Sequence, residues 1–354
     1  MKLVILFLIS LNFIYAADPL AAYKKDDSWF VIDEEGNELF RTDIIEKIEG
    51  YREGFFRIRI IEDDILKWAF MDINGKIILK PDQDEVFDFY EGVAMTAKDI
   101  PESEIEKLYG FMDINGNQII PNILIDAISF SEGLAYIMDN QRRGYINTKG
   151  EMVLPLPDSL VGYPFSEGKA AVSNFDYQVG YIDRTGKIII PIKYEEFGMF
   201  KEGKVKFTSD GKTGVIDSND KVIFNAEFYE AQQFSEGRSY ISTPGDRLQH
   251  TWALVDDKGN FLTDHKFKYG NKFSESLSSV KDDENWKFID RSGNVIIDNN
   301  YRFAGSFRNG LAWVSKYKDD GSSQGGFINK QGEWVIEIDD FQEVWDLRLN
   351  KQMY

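Results

Sequence analysis

Cysteine is absent from this 354-residue chain, and histidine occurs twice. Without thiols there is no disulfide, no thiolate nucleophile and no thiolate metal site, so stability must come from packing and strand pairing. His250 and His265 both lie in polar, variable segments. A zinc site needs more nitrogen or sulfur ligands than that pair supplies. No Gly-x-Ser-x-Gly elbow surrounds any serine, and neither a Gly-x-Gly-x-x-Gly nor a Walker loop occurs. The residues therefore imply no cofactor and no metal. Positive charge is also scarce: 41 Lys and Arg stand against 60 Asp and Glu, a formal charge of −19. Nucleic-acid binding draws its affinity from neutralised phosphates, so DNA and RNA are excluded as partners, and an anionic membrane surface is disfavoured for the same reason. The surplus acid serves solubility.

Long apolar runs are missing apart from one. Lys2 precedes Leu3 to Tyr15, a run broken by Ser10 and Asn12 and followed by Ala16 and Ala17. It is shorter than the roughly 20 residues of a membrane span and has the layout of an export signal. No Cys follows it, so a bacterial lipid anchor is excluded. The expectation is a signal peptide over residues 1–16, a single β domain over 17–354, a periplasmic or extracellular location, and no stable membrane insertion after cleavage.

What the chain has in abundance is aromatic side chains and a repeated pattern. Aromatics make up 14 %, a composition that favours strands, where flat rings pack on a pleated surface. Val179 to Pro191 reads VGYIDRTGKIIIP, Tyr109 to Pro121 reads YGFMDINGNQIIP, and Trp68 to Pro81 reads WAFMDINGKIILKP. Each is an apolar run, then Asp-x-x-Gly, then a second apolar run. The turn position recurs at Gly36, Gly75, Gly116, Gly150, Gly186, Asp220, Gly259, Gly293 and Gly332, with spacings between 34 and 41. Nine units of this period mark a stacked or radial repeat. The residue before the turn Gly varies freely, so a two-residue Asn-Gly turn is not the rule; a three-residue loop with Gly at φ > 0 in a bulge fits better. The Asp opening the loop can accept the turn amides.

A second signature follows the turn at 17 or 18 residues: an aromatic, one residue, then Glu-Gly, as in Phe130-Ser-Glu-Gly, Phe165-Ser-Glu-Gly, Phe200-Lys-Glu-Gly and Phe234-Ser-Glu-Gly. Alternating apolar residues after it read as a half-buried strand, and the leading aromatic is expected in the core. All variation in unit length falls between Glu-Gly and the next turn, with insertions at 62–66, 99–107, 243–249 and 318–324. Loops inserted at one equivalent position emerge on one face, which in repeat proteins is often the binding face. The candidate ligand-binding residues on them are Glu62, Asp63, Asp64, Asp99, Glu102, Glu104, Asp246, Arg247, Asp319 and Asp320. Asp72-Ile-Asn-Gly75 and Asp113-Ile-Asn-Gly116 look like the opening of calcium loops, but the twelfth position holds Gln83 in one and Leu124 in the other and not the acidic ligand a full loop needs, so turn capping explains them.

Together these strings resemble the WG-repeat family (also written KWG), whose pattern looks like Trp-Gly-Phe-Ile-Asp-x-x-Gly-x-x-Ile-Pro, then Phe-Ser-Glu-Gly-Leu-Ala-x-Val. The resemblance spans about Trp29 to Ile338. No unit keeps both namesake residues: Trp29, Trp68, Trp252 and Trp286 lack the Gly, while Gly110, Gly144, Gly180, Gly214 and Gly326 lack the Trp. The resemblance implies a binding or scaffolding repeat with no general enzymatic activity to carry over.

Three or four strands in each unit match a compact propeller blade. The expected fold is all-β, a propeller of about nine blades, with an open β-superhelix as the alternative. The last unit lacks a Glu-Gly strand, while Leu20 to Lys25 precedes the first hairpin where such a strand belongs, so the two ends can complete one blade. The expected function is a non-enzymatic binding or scaffolding protein that holds a protein or glycan through these loops. A carboxylate-dependent glycan hydrolase is the alternative, since some propellers use paired carboxylates in this way.

Overall fold

The computed structural model describes residues 19–103, 105–196, 198–242, 251–318, 320–339, 341–347 and 351–352. The proposed export signal at 1–16 lies outside them. Among the described residues there is no helix, and none long and apolar enough to cross a membrane. There are nine antiparallel sheets.

Most sheets are four-stranded meanders whose strands neighbour one another in chain order. In order along the chain, blade 2 spans residues 47–79, blade 3 spans 85–124, blade 4 spans 126–155, blade 5 spans 161–194, blade 6 spans 204–228, blade 7 is built on 238–256, blade 8 spans 269–301 and blade 9 spans 303–338. Blade 1 is composite. Its second, third and fourth strands are Ala21–Lys25, Ser28–Ile32 and Glu38–Thr42, and its first is Glu343–Asp346 from the far end of the chain. Ala21 pairs with Asp346, and Lys24 with Glu343. Blade 7 is the most ragged, two strands extended by isolated bridges such as Val255 with Phe261.

The core is nine apolar clusters, each lying between two consecutive blades. Ala22, Trp29 and Val31 pack on Phe56 and Ile58 between blades 1 and 2. Phe111 meets Phe130 between blades 3 and 4, and Tyr181 meets Phe200 between blades 5 and 6. The last cluster joins Trp313 and Phe327 of blade 9 to Ala21 and Ile32 of blade 1, which closes the circuit. The molecule is therefore a closed β-propeller and not an open superhelix. Adjacent residues Ala21 and Ala22 serve opposite neighbours, as the two-residue period of a strand requires. Because each blade is covered on both faces, a middle strand buries successive residues and not only alternate ones, as at Trp252–Val255.

The hairpin turns are the three-residue loops read from the sequence. At the first, the Gly36 amide donates to the Asp33 carbonyl, the Asp33 amide donates to Asn37, and Gly36 has φ 82°. The Asp33 carboxylate accepts the amides of Glu35 and Asn37. Asp72, Asp113, Asp183 and Asp290 repeat this capping. Asp220, the single non-glycine at the turn position, takes φ 63°, a region Asp tolerates better than most residues.

The namesake glycines sit in the third strand of their blades. A Cβ on Gly110 would lie 2.6 Å from the Ile120 carbonyl oxygen, and one on Gly180 would lie 2.6 Å from that of Ile190. At both places the fourth strand shifts register and its backbone crosses the glycine. The family tryptophans are interface residues: Trp29, Trp68, Trp252 and Trp286 are all buried. Trp and Gly thus do separate jobs at neighbouring positions, which is why a blade functions with either one.

Candidate binding face

An up-and-down meander puts alternate connections at opposite ends of the blade. The turns joining first to second and third to fourth strands share one face of the ring, the turn face. The loops joining second to third strands share the other, the loop face. The first strand of each blade borders the axis, because one cavity is lined by Arg52, Tyr90, Ser129, Pro164 and Met199, from five successive blades. The repeat read from the sequence is offset from this architecture. Its hairpin forms the outer half of one blade and its Glu-Gly signature the inner half of the next. The loops that vary in length therefore lie inside a blade, between its second and third strands, and not between blades as the sequence unit suggested.

The turn face is largely consumed by its own hydrogen bonds. At each Glu-Gly turn both residues adopt φ > 0, as at Glu167 (53°) and Gly168 (72°). The glutamate side chain then reaches the equivalent turn of the next blade. Glu132 accepts the Glu167 and Gly168 amides at 2.5 and 2.9 Å. Glu167 accepts those of Glu202 and Gly203 at 2.5 and 2.8 Å, and Glu202 those of Glu236 and Gly237 at the same distances. Glu53, Glu91, Glu236 and Glu275 make corresponding links. The neighbouring serines add a second rung: the hydroxyls of Ser131, Ser166 and Ser235 donate to the carbonyls of Phe165, Phe200 and Phe273. The phenylalanines of the signature are buried as expected, Phe165 and Phe307 completely, while Tyr51 is half-buried.

This ladder stops where the chain ends meet. Blade 1 has no turn between its first and second strands, because those strands come from opposite ends of the chain. A glutamate at the preceding position in blade 9 would find no turn amides there. Asn309 stands at that position, and its side-chain amide donates to Glu34 instead.

The loop face carries the sequence-predicted residues. Glu62, Asp63 and Asp64 form the tip of the blade 2 hairpin, with Asp63 and Asp64 at φ 54° and 60°. Lys80 and Lys67 donate to the Glu62 carboxylate at 2.6 and 3.2 Å and hold it below the usual carboxylate range. Asp99 and Glu102 lie in the blade 3 loop, both exposed. Asp320 lies in the blade 9 loop, where the Ser322 hydroxyl and amide lower its pKa. Glu104, Asp246, Arg247 and Asp319 fall outside the described residues. The structure thus places the described candidates on one face without gathering them into one cluster. Sequence reading missed Asp26 and Asp27, two exposed residues at the loop of blade 1 between those of blades 9 and 2. The signal was there: the strand expected at Leu20 to Lys25, completed from the far end of the chain, runs directly into this loop, which carries no insertion to mark it. His265 packs on Phe261 at 5.4 Å between ring centroids, and burial lowers its pKa; His250 lies outside the described residues.

A family model described as "WG containing repeat" matches eight segments: 68–99, 109–142, 144–174, 180–212, 214–242, 252–286, 288–318 and 326–348. These cover well over half of the chain. The chain belongs to the WG-repeat family. The WG matches have the same offset as the sequence unit, each starting in a third strand and running through the second strand of the next blade, except the last, which ends just beyond Glu343–Asp346, the first strand of blade 1. Residues before Trp68 are unmatched, yet 28–42 form the same capped hairpin. No curated protein matches the chain. Among solved structures, BamB from Moraxella catarrhalis aligns at 11 % identity and TM-score 0.44, covering 84 % of this chain and 98 % of its own. Kluyveromyces lactis Hsv2 aligns at 10 % and 0.39, covering 83 % and 96 %. A structure from a study of two prolyl endopeptidases aligns at 12 % and 0.41, covering 78 % and 52 %. At these scores the likeness carries no function to this chain.

Proposed function

We propose that this WG-repeat propeller is a non-enzymatic binding or scaffolding protein, exported to the periplasm or the exterior, that holds a protein or glycan on its loop face. One observation carries the reading. The turn face spends its carboxylates on the amides of neighbouring blades, whereas the loop face presents exposed acidic residues on connections of variable length. Recognition surfaces are built on such loops over a rigid scaffold. The apolar run Leu3 to Tyr15 supports export. The hydrolase alternative is not favoured, because the repeating glutamates are occupied by backbone donors, including Glu53 and Glu91, which line one cavity and accept the amides of Glu91, Gly92 and Gly133.

The test uses the mature chain as bait on envelope extract, with polysaccharide hydrolysis assayed in parallel. Reversing Asp26, Asp27, Asp63, Asp64 and Asp320 to lysine should abolish capture, while reversing turn-face Glu35 and Lys149 should leave it intact. Loss of capture through the turn-face changes alone would refute the loop-face reading, and hydrolysis by the unmodified chain would refute the non-enzymatic one.

A further inference from the structure

Blade 2 departs from its neighbours in three ways at one place. Its second and third strands, Phe55–Glu62 and Ile65–Asp72, each run to eight residues, whereas those of blade 5 are five residues each. Its fourth strand, Ile77–Leu79, has three residues where blades 3, 5, 6 and 8 have seven. The tip of its long hairpin is apolar and exposed: Ile61 is 60 % exposed, Ile65 59 % and Leu66 48 %.

The short fourth strand coincides with a side chain at the crossing point. Ala69 occupies the third-strand position held by Gly110 and Gly180, where the fourth strand crosses too closely for a Cβ. In blade 2 pairing with the fourth strand is confined to Phe70 with Leu79 and Met71 with Ile77. Blade 8 keeps the crossing over Lys287, with Asn300 taking φ 56°. In blade 2 the chain turns away, and the Trp68 indole donates to the Asp84 carbonyl beyond it. Among the described residues, Ile65 to Lys67 pair with the second strand on one side and with no strand on the other.

We infer that this open edge is a docking site for an extended segment of a partner protein, which adds a strand beside Ile65–Lys67. The inference rests on the loop-face reading and chooses between its two ligand classes. The outward-facing main-chain donors and acceptors of Leu66 and Trp68, unpaired on the fourth-strand side, are complementary to another polypeptide backbone and have no counterpart in a glycan. Ile61 and Leu66 face each other across the hairpin and supply an apolar contact on one side. Beside it, Ile44, Ile60, Ile61 and Ile77 line a cavity of about 300 Å³ with Asp43, Glu46, Glu62 and Lys80, the last two paired with each other. Asp63 and Asp64 at the tip, with Asp43 and Glu46 below, call for basic residues in the incoming strand. A second copy of this chain, itself at −19, is repelled by the same charge.

The experiment uses the mature chain and a short synthetic peptide alternating valine and lysine. An alternating valine–glutamate peptide and a block peptide of the same valine–lysine composition serve as controls. Expected results are binding of the alternating basic peptide alone, and slowed amide exchange at Leu66 and Trp68 on binding. Ile65→Asp and Leu66→Pro, the second removing the outward N–H of the edge, should each weaken binding by roughly tenfold or more, with Val222→Asp on blade 6 without effect. Amide exchange in the unmodified chain gives a readout that does not depend on either variant folding. Peptide binding that protects another loop of the same face overturns this site and leaves the loop-face reading standing. Equal binding of the block peptide overturns strand addition. A dimer of the unmodified chain lost in Ile65→Asp overturns the choice of a foreign partner. Protection confined to the turn face overturns both readings.

Discussion

Gly110 and Gly133 show two different reasons for a glycine in this chain. Gly133 has φ 79° with open space around its missing Cβ; Gly110 has no unusual φ, but its Cβ would strike the Ile120 carbonyl. Gly133→Ala is therefore expected to cost about 1 kcal/mol through backbone strain alone. Gly110→Ala should cost roughly 2–3 kcal/mol, because the fourth-strand backbone must move. Urea unfolding of the two variants checks the order, and equal losses would show that the crossing strand is free to shift. At this scale much was legible from sequence. The turn positions, the Asp caps and the buried aromatics follow from local rules that act within five residues. What could not be read was the destination of Glu167 or Ser166, since their partners lie 34 to 36 residues away.

The ladder of glutamates belongs to the blade as an element. Each link takes two backbone amides that point out of a tight turn and gives them a charged acceptor from the preceding blade. Such bonds are partly exposed, so each is modest. Glu167→Ala should cost about 1 kcal/mol, and Glu167→Gln less, since the amide oxygen still accepts. Thermal unfolding in both variants checks this, with amide exchange at Gly203 expected to rise in Glu167→Ala. Unchanged exchange there would mean that the turn holds itself. The ladder also explains an irregularity that sequence alone showed without a reason. Glu-Gly gives way to Asn309-Gly310 only where the next blade has no turn to receive a glutamate. The acidic repeat that invited a hydrolase reading is thereby a structural device. The sequence unit misled in one respect: its boundary falls inside a blade, and loops that look like links between units are hairpin loops within blades.

For the whole molecule, closure is the decisive feature. Nine interfaces need nine blades in contact, and the ninth contact exists because Glu343–Asp346 pairs with Ala21–Lys25. Removing residues 343–354 strips Val344, Trp345 and Leu347 from two clusters and leaves the edge of Ala21–Lys25 bare. The expected result is a melting temperature lower by about 10 °C or more and a broader transition, because the ends then fray independently. Calorimetry measures the first, and an increase in the radius of gyration by X-ray scattering shows the ring opening. A sharp, unshifted transition would mean that closure contributes little.

The amino-acid sequence by itself determined the strands, the turns, the repeat and the all-β class, because those depend on patterns spanning a few residues and recurring along the chain. It also held both halves of the composite blade. Only the tertiary structure decided that the ring closes, that the glutamates bind backbone and that the edge at Ile65–Lys67 is open. Each of these depends on groups that are distant in sequence and meet only when neighbouring blades pack face to face.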